Sequence, residues 1–198
     1  MTDWGDELDG ETPIPDRSGL LLPEIKTRRQ LSTAEAQNIQ AAVYKYLAAK
    51  PSRRLTPFSY PWCLKLHREM FGNVWAWAGG PRRIDLNFGI PWFHVPSQLA
   101  NLFADLESWG GHGTPLIEQA SLLHYRAVHV HPFLNGNGRW SRMLANIWLR
   151  RNDQPVINWP APMGVESPIR HQYLEAIRHA DDGELDPLLE LHRRYWGA

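Results

Sequence analysis

Residues able to hold an anion and move a proton are concentrated in the segment 128–144, VHVHPFLNGNGRWSRML. An apolar run ends there in His131, Pro132 and Phe133, and an Asn-Gly-Asn-Gly turn follows at 135–138. Glycines permit positive φ and let successive backbone N–H groups converge on one point. Because the turn directly precedes a helix-like segment, those donors and the helix dipole together favour a bound anion.

Two arginines follow the turn. Arg139 falls in the first helical turn, where a cation opposes the helix dipole unless a bound anion offsets it. Arg142 lies three residues later, on the same helical face. Two guanidiniums beside converging amides suit a di- or triphosphate better than a single carboxylate. The alternative is an ordinary turn between helices with solvated arginines, and the turn alone does not choose between the two.

His131 favours the catalytic interpretation, because a histidine beside a phosphate site can take a proton from an incoming hydroxyl at neutral pH. Its ordinary alternative is the C-terminal cap of the preceding helix. A zinc site built from His124, His129 and His131 is a third interpretation. We disfavour it, because only Glu118 offers a carboxylate nearby and His129 and His131 face different sides of a helix.

The remaining chain predicts a mostly helical single domain. A β-hairpin is expected where Asn87 to Gly89 is flanked by Ile84, Leu86 and Ile90. Capping residues and apolar spacing predict helices that begin near Ser32 or Thr33 (ending before Pro51), Tyr60, Ser97, Thr114, Gly138, Ser167 and Asp186.

Composition narrows the function classes. The 198 residues carry a formal net charge of zero, so no basic field argues for direct nucleic-acid binding. A single cysteine fits a cytoplasmic protein, and no apolar run is long enough to span a membrane. Residues 1–19 are acidic and turn-rich, which predicts a flexible arm before a domain at 20–198.

HPFLNGNGRWSR resembles the signature of the Fic family, His-x-Phe-x-Asp/Glu-Gly-Asn-Gly-Arg-x-x-Arg. Seven of its eight constrained positions are met, at His131, Phe133, Gly136, Asn137, Gly138, Arg139 and Arg142. The segments REMFGNVWAWAGGPR, NFGIPWFHVPSQL and YLEAIRHADDGELDPLL are further similar to the Fic subgroup called mobile mystery protein B. This second similarity covers roughly residues 18–192.

The resemblance implies an all-α fold, a Fic-type helical bundle with a short β-hairpin flap over the active site. It implies transfer of AMP from ATP to a Ser, Thr or Tyr hydroxyl of a target protein docked at the flap, residues 84–95. His131 is then the base, and Asn137 and Arg139 complete the catalytic set. The nucleotide would be held by Asn135, Gly136, Asn137, Gly138, Arg139 and Arg142, with Arg142 at the γ-phosphate. The subgroup suggests a toxin-like role with a separate antitoxin-like partner.

Asn135 departs from the family pattern, because it replaces the Asp or Glu that binds Mg²⁺. An amide oxygen can ligate Mg²⁺ only without charge, so the ion would rest mainly on phosphate oxygens and water. The alternative function is therefore a degenerate Fic domain that binds a nucleotide or partner without AMP transfer, or that transfers another phosphate-containing group.

A second family feature, the autoinhibitory motif, is partly matched in this sequence. Many Fic proteins carry an autoinhibitory Ser/Thr-x-x-x-Glu-Gly/Asn motif, and the segment from Thr33 to Asn38 places Gln37 at its Glu position. Glu35 is the other candidate for such a contact. We interpret the segment as the polar face of an amphipathic helix.

Overall fold

A computed structural model describes residues 17–160 and 167–198. These residues contain seven α-helices and no paired strands, so the all-α prediction is confirmed. None of the helices in these ranges combines the length and apolar character that crossing a membrane requires. The helices are α1 (Arg28–Leu47), α2 (Tyr60–Phe71), α3 (Val95–Gly111), α4 (Leu116–Val130), α5 (Asn137–Arg151), α6 (Pro168–Asp181) and α7 (Asp186–Tyr195). The predicted flexible arm lies largely outside the described residues.

The centre of the fold is the antiparallel pair α4 and α5, joined by the segment 131–136. Helix α4 also packs against α3, α6 and α7, while α5 packs against α1 and α2. Fully buried Leu123, Trp140 and Leu144 fill the space between the helices of the pair and their neighbours. The connecting segment is therefore fixed at both ends by helices that are themselves held in the core.

Two predicted helix starts are wrong by a few residues. Helix α1 begins after Thr27, which forms a capping box with Gln30, rather than at Ser32 or Thr33. Helix α3 begins at Val95, and the Ser97 hydroxyl donates to the His94 carbonyl instead of capping the helix. Ser167 does cap α6 as predicted, accepting from the Arg170 N–H.

The β-hairpin predicted around Asn87 is not observed. Residues 83–91 form an irregular loop that returns on itself without a ladder of backbone hydrogen bonds. Pro91 has no N–H to donate to such a ladder. The Trp92 N–H donates to the Asp85 side chain at 2.8 Å. The Arg82 guanidinium donates to the Ile84 and Ile90 carbonyls, one on each arm of the loop.

The core also contains histidines that burial keeps uncharged. Burial lowers the pKa of His67 to about 3 and those of His131 and His192 to about 4, and it lowers the pKa of His124 as well. Between these values and the ordinary value near 6.5, the unfolded chain binds protons that the folded chain does not. Folding stability must therefore decrease as the pH is lowered through this range.

We expect the free energy of unfolding, measured by urea titration, to fall steadily from pH 7 to pH 5. Each buried histidine contributes at most about 1.4 kcal/mol per pH unit. Replacing one of them, as in His67→Gln, should reduce the slope by one such contribution whatever it does to stability at pH 7. A free energy of unfolding that is constant over this range would contradict the buried neutral state.

Candidate active site

His131 ends α4 in a conformation that few residues adopt. Its backbone is left-handed, with φ 50° and ψ 60°, and Pro132 follows. A non-glycine residue in this region is strained and persists only where its surroundings hold it. The His131 ring is buried, and its Nδ1 lies 3.3 Å from the Val128 carbonyl, which can only accept. Nδ1 therefore carries the proton of the neutral ring and Nε2 is the basic nitrogen.

The buried guanidinium of Arg82 holds His131 in place. Its Nε donates to the His131 carbonyl at 2.6 Å, while Nη1 donates to Ile84 at 2.9 Å and Nη2 to Ile90. The Arg82 backbone N–H adds a hydrogen bond to the Pro132 carbonyl at 2.9 Å. One side chain thus joins the loop 83–91 to the end of α4, and it offsets the strain at His131 with charge-assisted hydrogen bonds.

The turn that follows is closed by Asn137. Its Oδ1 accepts from the Phe133 N–H at 2.9 Å, and its Nδ2 donates to the Phe133 carbonyl at 2.8 Å. Gly136 has φ 80°, and a Cβ built on it would lie 2.7 Å from the Phe71 ring. No other residue fits there without displacing that buried ring. The amide of Asn137 is used to shape the turn.

His67 supports the same turn from α2. Its Nδ1 accepts from the Gly79 N–H at 3.0 Å, so its Nε2 is protonated and donates to the Asn135 carbonyl at 3.1 Å. The His67 ring stacks on Phe133, with centroids 3.6 Å apart. The lowered pKa of His67, caused by burial, keeps this single tautomer in place at neutral pH.

Arg139 projects from the first turn of α5 to an acid on α1. Its Nη1 donates to Glu35 Oε2 at 2.7 Å, and its Nη2 lies 3.5 Å from Asn135 Oδ1. Glu35 is buried, and its other oxygen accepts from the Trp75 indole at 2.7 Å. Gln37 is exposed. The polar-face interpretation therefore holds for Gln37 and is wrong for Glu35.

Arg142 lies one turn along α5, between aromatic rings. Its Cζ is 5.4 Å from the Tyr173 ring centroid and 5.9 Å from that of Trp159. A Cβ built on Gly138 would lie 3.7 Å from Arg142 Nη1, so Arg142 borders the turn at 135–138. The structure thus places both arginines, Asn135 and His131 around one turn, as the sequence predicted.

The histidines of the zinc interpretation have separate partners. His124 is hydrogen-bonded to His192 and Tyr173, while His129 pairs with Asp181 at the surface. Among residues 17–160 and 167–198, no group of His, Cys, Asp or Glu side chains is arranged to hold a metal ion. Within the described residues, these three histidines therefore do not form a zinc site.

Comparison with known proteins agrees with this geometry. The Fic/DOC family model matches residues 57–149. The protein adenylyltransferase Fic of Drosophila yakuba is 35% identical over 134 residues, which are 64% of this chain and 25% of the relative. The structure of Fic-1 (aa134–508) from C. elegans has a TM-score of 0.73 at 26% identity, covering 90% of this chain and 52% of that one.

Residues 57–149 form a Fic/DOC family domain. The whole chain spans about a quarter of the length of the curated relatives that it matches. A Bartonella quintana Fic domain with bound ADP has the same fold, with a TM-score of 0.62 at 19% identity. The resemblance seen in the motif is thus confirmed at the level of the family, while the subgroup stays a prediction.

Two residues that shape the turn, Arg82 and His67, were missed from the sequence, and a third, Glu35, was assigned to a polar helix face. Arg82 and His67 act on the turn from 49 and 68 residues away along the chain, and Glu35 reaches Arg139 from 104 residues away. Only Arg82, in the GGPRR segment, lay within a stretch that the resemblance singled out without assigning it a role. No local pattern marks His67.

An anion that binds Arg139 must first displace Glu35, so Glu35→Gln should strengthen anion binding. The amide still accepts the Trp75 hydrogen bond, but it carries no charge to hold Arg139 or to repel a phosphate. We expect the affinity for ATP, measured by calorimetry, to rise several-fold. Glu69→Gln removes a carboxylate paired with Lys45 and Tyr46 and should leave the affinity unchanged. Equal affinities for wild type and Glu35→Gln would contradict the competition.

Proposed function

We propose that this Fic domain transfers AMP from ATP to a Ser, Thr or Tyr hydroxyl of a target protein. The observation that carries the proposal is the left-handed, neutral His131 placed at the mouth of a glycine turn bordered by Arg139 and Arg142. The relatives named protein adenylyltransferase Fic support the choice of the transferred group.

His131 supplies the base of the proposed reaction. Its Nε2 takes the proton of the target hydroxyl as the hydroxyl oxygen attacks the α-phosphorus of ATP. A new oxygen–phosphorus bond forms, the bond between the α-phosphorus and the bridging oxygen breaks, and pyrophosphate leaves. The neutral state that burial enforces keeps the base ready at pH 7, although a lowered pKa also makes it weaker.

The turn and the arginines supply the charge that the phosphates need. The backbone N–H groups of Asn137 and Gly138 lie in the first turn of α5, where the helix dipole favours an anion. Arg139 would exchange Glu35 for a phosphate, and Arg142 would meet the γ-phosphate. We propose that Asn137 contributes by closing the turn through Phe133, since both ends of its amide are engaged there.

Mg²⁺ does not fit a protein-held site in the described residues. Asn135 Oδ1 already accepts from the Gly136 N–H at 2.6 Å and lies 3.5 Å from the Arg139 guanidinium. A neutral oxygen beside a cation is a poor ligand for a divalent ion. We propose that any Mg²⁺ arrives as part of the ATP complex, on phosphate oxygens and water.

The target would dock on the loop from Ile84 to Val95. Ile84 and Phe93 expose more than half of their surface there, and the Phe88 ring centroid lies 6.2 Å from that of His131. Gly89 has φ 92° and approaches the His131 Cβ so closely that a Cβ on it would lie 2.4 Å away. An apolar rim beside the base suits a target with apolar residues near its hydroxyl.

The cytoplasmic location and the antitoxin-like partner belong to the same proposal. The buried thiol of Cys63 supports a reducing compartment, since it has no disulfide partner. The partner rests on the subgroup resemblance. The alternative, a degenerate domain that binds nucleotide without transfer, is favoured by the replacement at Asn135 and by the Glu35 contact to Arg139.

The decisive experiment follows the fate of two labels. ATP labelled at the α-phosphate should label a target protein, whereas ATP labelled at the γ-phosphate should not. His131→Asn should lower this transfer by roughly 10²- to 10⁴-fold, because asparagine tolerates the left-handed backbone but cannot act as a base. ATP affinity should be nearly unchanged.

The matched control is His129→Asn, which changes a histidine at the surface of the same helix and should transfer normally. Wild-type rates in His131→Asn would remove His131 from the mechanism. ATP binding without α-label transfer in the wild type would establish the degenerate alternative, and transfer of the γ-label would establish a different transferred group.

Introducing an acid at position 135, where the family motif has Asp or Glu, tests the role of Asn135. Asn135→Asp adds an anionic oxygen of nearly the same shape, so it should bind Mg²⁺ more tightly while repelling ATP that carries no metal. Transfer rate and ATP affinity should therefore depend more steeply on Mg²⁺ concentration. Asn101→Asp, at an exposed position of α3, controls for the added charge. Superimposable Mg²⁺ titrations of wild type and Asn135→Asp would show that residue 135 does not face the metal.

A further inference from the structure

A buried chain of polar side chains connects α7 to Arg142, and the proposed mechanism does not use it. His192 Nδ1 lies 2.7 Å from the Leu188 carbonyl, and its Nε2 lies 2.9 Å from His124 Nδ1. His124 Nε2 then lies 3.1 Å from the Tyr173 hydroxyl. That hydroxyl and Arg142 Nη1 border the same point of the turn, 3.9 Å and 3.7 Å from where a Cβ on Gly138 would lie. Three helices, α7, α4 and α6, each contribute one side chain to this series, which ends at α5.

The two ends of the series fix the direction of every hydrogen bond within it. The Leu188 carbonyl can only accept, so His192 donates from Nδ1 and accepts at Nε2. His124 must then donate from Nδ1 and accept at Nε2. The Tyr173 hydroxyl consequently donates to His124, which leaves its oxygen lone pairs for Arg142, a group that can only donate. Burial lowers the pKa of both histidines, so the neutral tautomers that this direction requires are the ones present at pH 7.

The environment of Arg142 differs from that of Arg139. No carboxylate is paired with Arg142 within residues 17–160 and 167–198; the guanidinium lies against the faces of Tyr173 and Trp159 instead. Aromatic faces and one hydroxyl orient a cation without neutralising it. The full charge of Arg142 is therefore available to an anion at the turn, whereas Arg139 must first leave Glu35.

We propose that Tyr173 is a positioning residue for Arg142, held as a hydrogen-bond acceptor by His124 and His192. The series aims Arg142 at the γ-phosphate, so it sets the preference of the site for a nucleoside triphosphate over a monophosphate. This inference rests on the proposed function, because it requires a nucleotide in the turn. According to this proposal, side chains of α6 and α7 determine how many phosphate groups the preferred nucleotide carries.

The test is Tyr173→Phe, which removes the hydroxyl and keeps the ring against Arg142. Calorimetry should show ATP affinity reduced roughly tenfold, the effect of one hydrogen bond to a charged group, with AMP affinity unchanged. Tyr46→Phe is the matched control, because it deletes a buried tyrosine hydroxyl bonded to Glu69 and should leave the ratio of ATP to AMP affinity unaltered. If Tyr173 had only a structural role, Tyr173→Phe would weaken the binding of ATP and of AMP to the same extent.

A double-mutant cycle separates action through Arg142 from other effects. In the Arg142→Ala background, Tyr173→Phe should cause no further loss of ATP affinity, because the residue it orients is absent. Additive losses, or an unchanged ratio of ATP to AMP affinity in Tyr173→Phe, would overturn the proposal.

Nitrogen NMR of the free protein distinguishes failure of this inference from failure of the proposed function. His124 and His192 should both carry their proton on Nδ1 at pH 7, and Tyr173→Phe should shift the His124 Nε2 resonance selectively. Nε2-protonated tautomers would overturn the series even in an active enzyme. Correct tautomers in a wild-type protein that binds no nucleotide would instead overturn the proposed function and, with it, the selection of phosphate length.

Discussion

The rest of the site depends on the left-handed backbone of His131. This single residue ends α4, reverses the chain toward α5 and brings the ring to the edge of the glycine turn. A β-carbon makes that backbone unfavourable, so the fold has to compensate, and it does so through the Arg82 hydrogen bonds to the carbonyls around it. Asn137 then closes the turn by two hydrogen bonds to Phe133, and His67 donates to the Asn135 carbonyl within it. The geometry of the turn thus depends on one strained residue, His131, and on hydrogen bonds from three others.

The chemistry of the site follows from an imbalance of charge around this geometry. Two guanidiniums and a series of backbone N–H groups border the turn. Among the described residues, a single carboxylate pairs with these arginines: Glu35, which binds Arg139. That acid is shared with the Trp75 indole, so its position is fixed by the core as much as by Arg139. The site accordingly has one arginine restrained by an acid and one restrained by aromatic rings. The two differ in what an incoming anion must displace.

Local sequence predicted the parts of the fold that local physics controls. The glycine turn, the helices, the cap at Ser167 and the cluster of His131, Asn135, Arg139 and Arg142 could all be predicted, because each depends on residues within a few positions of one another. The hairpin prediction failed where long-range contacts prevailed, since the Arg82 side chain takes carbonyls that a ladder would have used. His67, Tyr173 and His192 escaped notice, and Glu35 was assigned to a polar helix face, for the same reason. Their partners are set by helix packing, which no spacing along the chain encodes.

The Arg82 guanidinium also determines how freely the loop 83–91 can leave the end of α4. It binds carbonyls on both arms of the loop 83–91 and the carbonyls at the end of α4, and its side chain has no solvent exposure. Swinging the loop away would leave a buried charge and several carbonyls without partners, which is costly away from water. The loop 83–91 and His131 are therefore held together by one side chain. The surface that this loop presents beside His131 is consequently set by a buried charge beneath it as much as by the exposed residues of the loop itself.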